Sequence, residues 1–561
     1  MLRNIFVSTV VNGTISRGKD SLNYLEKVSY APMEANRELL LRILNKNKNT
    51  EFGKKHNFSS INSIEEYRKN VPLSEYSDYI PYIDRMKNGE YNLLTKQKPV
   101  GYSRTSGSSG VPKYIPATDD CLKIYSKYSW SRAVALAANE IEKNGKKVKA
   151  ARGAFLSPAT NDRLPNGLLC SNIAEVNAEK FGWCFPYMIT VPTKKLFDMN
   201  KADYVYCIYR FALAEEDLFF ITSVFTSINV SQLQYLKDNW RIIVSDIENG
   251  TISDCITITP EYKKKLLKYI KPDPKRAAYL KQQFEIGFNE SLFKRLWPNL
   301  SVISSIGNAS FKPATDIIRK VADGIPFDNS QYAASEGVVA ACVSLESDEM
   351  QLLPDSCFCE FIPADEGEDT TKILTLDELE QGKKYEVIIT TQSGFYRYRL
   401  HDIIEVKGFR NKCPMISFIR RIGQLINMSG EKFSEEDGLN TVTSIEKAHG
   451  IKVNNWIFHQ DESVIPNRYA LILECDSDIN FADFIDDIEG YMTEFNKRYG
   501  LQREKGYIGK LTVLKQKSGT YDEWVKSRVA QGAYVAQVKP VHILDNELKK
   551  SFFLERIEKE Y

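Results

Sequence analysis

Between residues 32 and 48, apolar side chains recur at Leu39, Leu40, Ile43 and Leu44, which share one face of a helix. The stretch NTEFGKKHNF breaks that rhythm, a second helix is expected near residues 64–68, and Pro72 and Pro81 then bracket short elements. Beyond a Gly/Ser-rich segment at 105–110, the runs ARGAFLS, YVYCIYRFAL, FFITSVFT and SVISSIG read as strands, being short, apolar and rich in β-branched or aromatic residues. They alternate with helical stretches, for example 120–143 and 259–295. Such alternation predicts an α/β fold with a mostly parallel sheet buried between helices. After KYEVIITTQSGFYRYRLHDIIEVKGF a loop is expected at 408–415, then a strand, MISFIRRI, and a polar segment, INMSGEKFSEEDG. A hinge is placed at 421–435, which divides the chain into a large domain, 1–420, and a small α+β domain, 436–561. In the latter, WIFHQ, YALILEC and GKLTVLK are expected as strands around a helix at 480–498.

Composition narrows the class without choosing a function. The 561 residues exceed the roughly 250 to 300 that one core accommodates, and 43% apolar with 26% charged residues is an ordinary globular balance. Lysine and arginine (75) against aspartate and glutamate (73) leave a net charge of +2, so no overall field draws a polyanion and no nucleic-acid partner is expected. Lys263, Lys264 and Lys265 read as a solvated helix face. No apolar run approaches the ~20 residues needed to cross a bilayer, and no cleavage pattern follows MLRNIFVSTVVNG, so that start is read as part of the fold. Ten cysteines are sparse, and Cys357 with Cys359 is too tightly spaced for the usual zinc or redox motifs. A monomer in the cytoplasm, with no membrane partner, is the expectation.

Four segments carry candidate chemistry. In TSGSSGVPKYIP, residues 105–116, Gly107 and Gly110 let backbone approach an anion closely, while Thr105, Ser106, Ser108 and Ser109 supply hydroxyl donors. Lys113 follows within reach of the same anion; a flexible surface turn is the alternative, and no Walker pattern is present. QYAASEG places the Tyr332 ring near Glu336, a hard oxygen ligand suited to Mg²⁺, although a buried tyrosine and a capping glutamate give the same letters. In YRYRLHD, Asp402 is a carboxylate able to accept both ribose hydroxyls, unless it serves an arginine pair within a turn. Lys539 in AQVKP stands between apolar neighbours, where a solvated lysine is the plain reading.

In this order and spacing the segments resemble the adenylate-forming superfamily, specifically the Gretchen Hagen three family of acyl-acid amido synthetases, from about residue 30 to the C-terminus. TSGSSGVPK is similar to its phosphate loop, YAASE to its adenine and magnesium motif, YRYRLHD to its ribose motif, and AQVKP to its C-terminal lysine motif. FIRRIGQLINMSGEKFSE resembles the hinge segment, with Arg421 at the position of its arginine. The resemblance implies a large adenylate-forming domain with mixed, mostly parallel sheets flanked by helices, and a small mobile α+β domain.

It also implies a reaction. ATP and Mg²⁺ would activate a small carboxylic acid as an acyl-adenylate, and an amino acid amine would then take the acyl group, with AMP and pyrophosphate released. Thr105, Ser106, Gly107, Ser108, Ser109 and Lys113 would hold ATP phosphates, Tyr332 and Ser335 the adenine side, Glu336 the metal, Asp402 the ribose, and Lys539 would reach in from the small domain. An acyl-CoA ligase with a thiol acceptor and a nucleotide-binding regulator without turnover are the competing readings. Two departures stand out: His401 replaces the glycine usual before the ribose aspartate, and Gln424 replaces a common hinge aspartate. On the segment after the phosphate loop, Tyr125, Tyr128 and Arg132 share a helical face, expected either to bind the acid or to pack as core with a surface arginine.

Overall fold

The computed structural model describes residues 2–106, 112–143, 145, 152–155, 162–181, 188–191, 201–256, 258–289, 291–307, 312–364, 372–421, 424–475, 479–530, 541–544 and 547–561. The chain divides into two compact units, one of Met1–Thr105 and Lys113–Ile422, the other of Ser106–Pro112 and Gly423–Tyr561. The division at 422/423 falls inside the segment where a hinge is expected.

In the large unit the helix Pro32–Asn47 buries Leu39, Leu40, Ile43 and Leu44, with a proline in its first turn, where no backbone donor is lost. Ser63 starts Ile64–Asn70 by accepting the Glu66 N–H. Strands β1 (Gly101–Ser106), β2 (Pro112–Ala117) and β4 (Cys170–Ser171) form one sheet in the order β2-β1-β4. Strands β3 (Arg152–Phe155), β5 (Leu218–Phe225), β6 (Val302–Ile306) and β7 (Phe327–Asp328) form a second sheet, parallel throughout. The third comprises β8 (Gln331–Ala333), β9 (Val338–Ala341), β10 (Met350–Leu352), β11 (Phe358–Pro363), β12 (Lys384–Thr390), β13 (Tyr398–Arg410) and β14 (Cys413–Arg421), in the order β11-β12-β13-β14-β10-β9-β8.

The α/β class holds, but every pairing in the seven-stranded sheet is antiparallel. Its successive strands are joined by connections without the crossover helix that parallel neighbours require. The loop expected at 408–415 is instead a tight hairpin: β13 continues to Arg410, which registers with Cys413, and Asn411 takes the left-handed conformation at the turn (φ 54°). The run YVYCIYRFAL lies within a helix, Lys201–Ala214, rather than a strand. Residues 204–213 are all buried, so the helix has no polar face there from which its period can be read.

One core, including Leu39, Ile43, Val387 and Ile389, lies against the antiparallel sheet; another, including Ile208, Leu213, Ile221 and Ile303, surrounds the parallel one. On β3, a Cβ at Gly153 would lie 1.9 Å from the Phe220 ring, which itself packs edge-on against Trp130 at 4.7 Å. Gly153→Ala is therefore expected to cost about 1–3 kcal/mol, read as a lowered urea midpoint.

The small unit contains the antiparallel pair β15 (Gln424–Ile426) and β16 (Phe433–Ser434), and a sheet of β17 (Asn455–Asp461), β18 (Arg468–Glu474), β19 (Gly509–Gln516) and β20 (Ile557–Glu560), with β18 and β19 parallel and its other pairs antiparallel. Helices Glu435–His449, Ile485–Phe495 and Lys497–Glu504 accompany them, around a core that includes Phe433, Phe458, Leu471 and Tyr499. Among the described residues, no helix is long and apolar enough to cross a membrane.

Candidate functional site

The site begins with how the YRYRLHD segment distributes its charges. Arg397 donates to Glu360 at 2.9 Å, Arg68 donates to the other oxygen at 2.8 Å, and Arg399 grips Glu386 through two nitrogens at 2.9 and 2.7 Å. Both glutamates are buried, and a buried carboxylate persists only with such partners. The arginines of the motif thus serve glutamates of the sheet rather than its own aspartate.

Asp402, 3% exposed, accepts the Tyr332 hydroxyl at 2.7 Å. Tyr332, 8% exposed, sits on β8 with its ring tilted against Phe418 at 5.5 Å. In sheet order β8 is four strands from β13, so this contact requires the sheet to curl back on itself. Arg421 closes β14 directly opposite Asp402.

Just beyond Tyr332, Ser335 and Glu336 form the tip of the β8–β9 hairpin, closed by Ala334 and Gly337 exchanging backbone hydrogen bonds at 3.0 and 3.3 Å. A Cβ at Gly337 would lie 2.5 Å from the Cys357 sulfur, so glycine is what lets this turn pack. Ser335 accepts the Ser103 hydroxyl at 2.9 Å, which ties the hairpin tip to β1 just before the phosphate-loop sequence. Glu336 is 6% exposed, yet its carboxylate makes no hydrogen bond or ion pair among the described residues.

Lys113, on β2, donates to the Tyr398 hydroxyl at 3.1 Å, and its ammonium lies 5.3 Å from the centre of the Tyr76 ring. The Tyr76 hydroxyl in turn accepts the Tyr114 N–H at 2.6 Å. Burial pushes that hydroxyl up to about 12, the Tyr114 backbone bond offsets part of the rise, and the negative charges of Asp84 and Glu336 add to it. Tyr76 is therefore close enough to feel Glu336. Neither Tyr76 nor Tyr398 stood out in the sequence as a site residue, although Tyr398 lies inside the ribose motif.

The structure thus brings Tyr332 to Asp402, Ser335 to β1, and Lys113 to Tyr398 of the ribose motif. The backbone of Thr105 and Ser106 ends β1; Gly107, Ser108, Ser109 and Lys539 lie outside the described residues. No group of three or more metal-type side chains occurs among the described residues. Mg²⁺ bound by one carboxylate and substrate phosphates needs no such group, and Glu336 fits that donor set.

Arg132 and Tyr128, expected either to bind the acid or to pack as core, lie in the interior. Arg132 is 0% exposed; it pairs with both Asp328 oxygens at 3.0 Å and also donates to the carbonyls of Tyr128 and Cys342 at 2.8 and 2.9 Å. Tyr128 is equally enclosed, with its hydroxyl on Asp355. A π-type turn over Lys127–Ser131 accompanies this inward placement. In this structure the polar groups of both residues are engaged by partners in the interior.

These features define a two-unit α/β protein whose described site chemistry is concentrated in its large unit. Family models match almost end to end: the GH3 family N-terminal domain over residues 21–327, the central domain over 350–421 and the C-terminal domain over 436–548. The chain belongs to the GH3 family. Relatives in Arabidopsis thaliana include the 4-substituted benzoates-glutamate ligase GH3.12, 26% identical over 89% of this chain and 91% of that protein. Another is the indole-3-acetic acid-amido synthetase GH3.15, 27% identical over 94% of this chain and 93% of that one. The solved structure of AtGH3.15 acyl acid amido synthetase in complex with 2,4-DB has the same fold, with a TM-score of 0.66 at 24% identity, covering 98% of this chain and 97% of that one.

Proposed function

We propose that this protein is an acyl-acid amido synthetase, an acid–amino acid ligase that spends ATP in two half-reactions. In the first, a carboxylate of a small acid attacks the α-phosphate of ATP, giving an acyl-adenylate and pyrophosphate. In the second, the amine of an amino acid attacks the acyl carbon, forming the amide and releasing AMP. The observation that carries this reading is the match of the GH3 family domains along the chain, with the Tyr332–Asp402 hydrogen bond and the approach of Lys113 to Tyr76 on the segments that the motifs single out.

The physical problem is repulsion between a carboxylate and a polyphosphate, which positively charged groups and donors fixed beforehand relieve. Asp402, which accepts the Tyr332 hydroxyl, also accepts the ribose hydroxyls, while the Tyr332 ring and Ser335 border the adenine. Thr105, Ser106, Gly107, Ser108 and Ser109 wrap the phosphates, and Lys113, held between Tyr76 and Tyr398, adds positive charge. Arg421 acts beside the ribose at the end of β14. Mg²⁺, when bound, offsets phosphate charge, and Glu336 is the residue that holds it. Lys539 supplies a cation for adenylation from the small domain, which turns about the 421–435 hinge between half-reactions. The cytoplasm, where ATP and free amino acids meet, is the proposed site of action.

The test offers the protein ATP, Mg²⁺, a panel of carboxylic acids, mixed amino acids and coenzyme A, with products read by mass spectrometry. Amide conjugates are expected. Thioesters in their place would assign a thiol acceptor, and absence of both products and pyrophosphate would reject the activity.

A further inference from the structure

His401 has no role in the reaction outlined above, yet it occupies a demanding position. It stands where the related motifs carry glycine, and its φ of 58° lies in the left-handed region, which a side-chain-bearing residue keeps only when its surroundings hold it there. Those surroundings are charged. Nε2 lies 2.8 Å from Glu75 Oε2, and Nδ1 lies 3.4 Å from Glu386 Oε1. Arg399, which grips Glu386, also reaches to 3.9 Å from Glu75. Two carboxylates therefore face the ring, and Arg399 lies against both of them.

The ring also joins three pieces of chain. Glu386 is on β12, His401 is on β13, and Glu75 caps the helix Tyr76–Lys87. Residue 74 already runs along β13, with Ser74 N–H donating to Arg397 O and Arg399 N–H donating to Ser74 O, both at 3.0 Å. One residue beyond Glu75 is Tyr76, which holds the Tyr114 backbone and faces Lys113. His401 thus extends a seam that begins beside Asp402 and ends at the residues following the phosphate loop.

We infer that His401 is a positioning residue for the nucleotide: its imidazole, fastened to Glu75 and Glu386, fixes the left-handed backbone immediately before Asp402 and so sets where that carboxylate points. The ring does this through its two nitrogens, one facing each carboxylate. The inference rests on Asp402 being the ribose ligand.

The experiment measures kcat and KM for ATP for the protein and for His401→Gly, His401→Gln, Glu75→Gln and Asp402→Asn. In His401→Gly, KM for ATP is expected to rise about three- to tenfold, with kcat changing less than KM. His401→Gln, which retains a hydrogen-bond donor, should keep a lower KM than His401→Gly, and Glu75→Gln should raise KM in the same direction. Wild-type KM values in both His401 variants would overturn the proposal. If Asp402→Asn raises KM while the His401 variants do not, the positioning role alone fails; if Asp402→Asn leaves KM unchanged, the ribose assignment fails with it.

Discussion

Glu336→Gln is expected to reduce acid-dependent pyrophosphate release by about two to three orders of magnitude while leaving the protein folded. The amide has the shape of the carboxylate, and among the described residues no hydrogen bond or ion pair is lost with the charge. The loss falls on the cation instead. A carboxylate holding Mg²⁺ against developing phosphate charge contributes several kcal/mol, and roughly 1.4 kcal/mol corresponds to each factor of ten in rate. Raising the Mg²⁺ concentration should restore part of the rate, because weakened binding is met by mass action. A rate within about threefold of wild type, with unchanged Mg²⁺ dependence, would remove Glu336 from the reaction. Loss of its negative charge should also lower the Tyr76 hydroxyl from its value of about 12, since that charge is among the causes of the rise.

The largest effect on stability is expected from Arg132→Ala, about 3–5 kcal/mol, because it leaves Asp328 buried without its cation. Among the described residues Asp328 would retain the Ser304 hydroxyl at 2.8 Å and the Ser330 N–H at 3.1 Å. Pairing the change with Asp328→Asn removes the stranded charge, so an Arg132→Met, Asp328→Asn double variant should recover much of the loss. Urea unfolding measures both. The same variants separate the interior role from acid binding: the folded double variant should keep its KM for the carboxylic acid. A stable Arg132→Ala protein with a greatly raised KM for the acid would reinstate the contact with substrate.

The helical spacing of Tyr125, Tyr128 and Arg132 was legible in the sequence, but not what the shared face meets. A buried Arg–Asp pair joins residues 196 positions apart, and neither member carries a local mark of its partner. The same limit applies to the site. Each motif could be read where a short segment needs unusual residues, such as glycines and hydroxyls in TSGSSG or two arginines beside an aspartate in YRYRLHD. The hydrogen bond between Tyr332 and Asp402, separated by 70 positions, depends on the curl of a sheet whose antiparallel pairing the α/β alternation did not disclose. Tyr76 escaped for a related reason: its neighbours YSDYIPY read as an interrupted helix, and only the tertiary approach of Tyr114 and Lys113 gives it a role.

The strand runs around residues 152, 218 and 302 were recovered because β-branched and aromatic residues concentrate there between helices. The run at 204–213 failed by the same composition, since burial on all sides erases the helical period. His401 was visible as a departure from glycine, but its meaning required the backbone: a left-handed φ and two facing carboxylates.

The most direct measurement is acid-dependent exchange of labelled pyrophosphate into ATP, made on the wild-type protein, Glu336→Gln and Asp402→Ala over a broad panel of carboxylic acids. Exchange that needs both Mg²⁺ and a particular acid, and that falls by about a hundredfold or more in each variant, is the predicted result. Equal exchange in all three proteins, or none with any acid, would contradict the assignment of one nucleotide to these side chains.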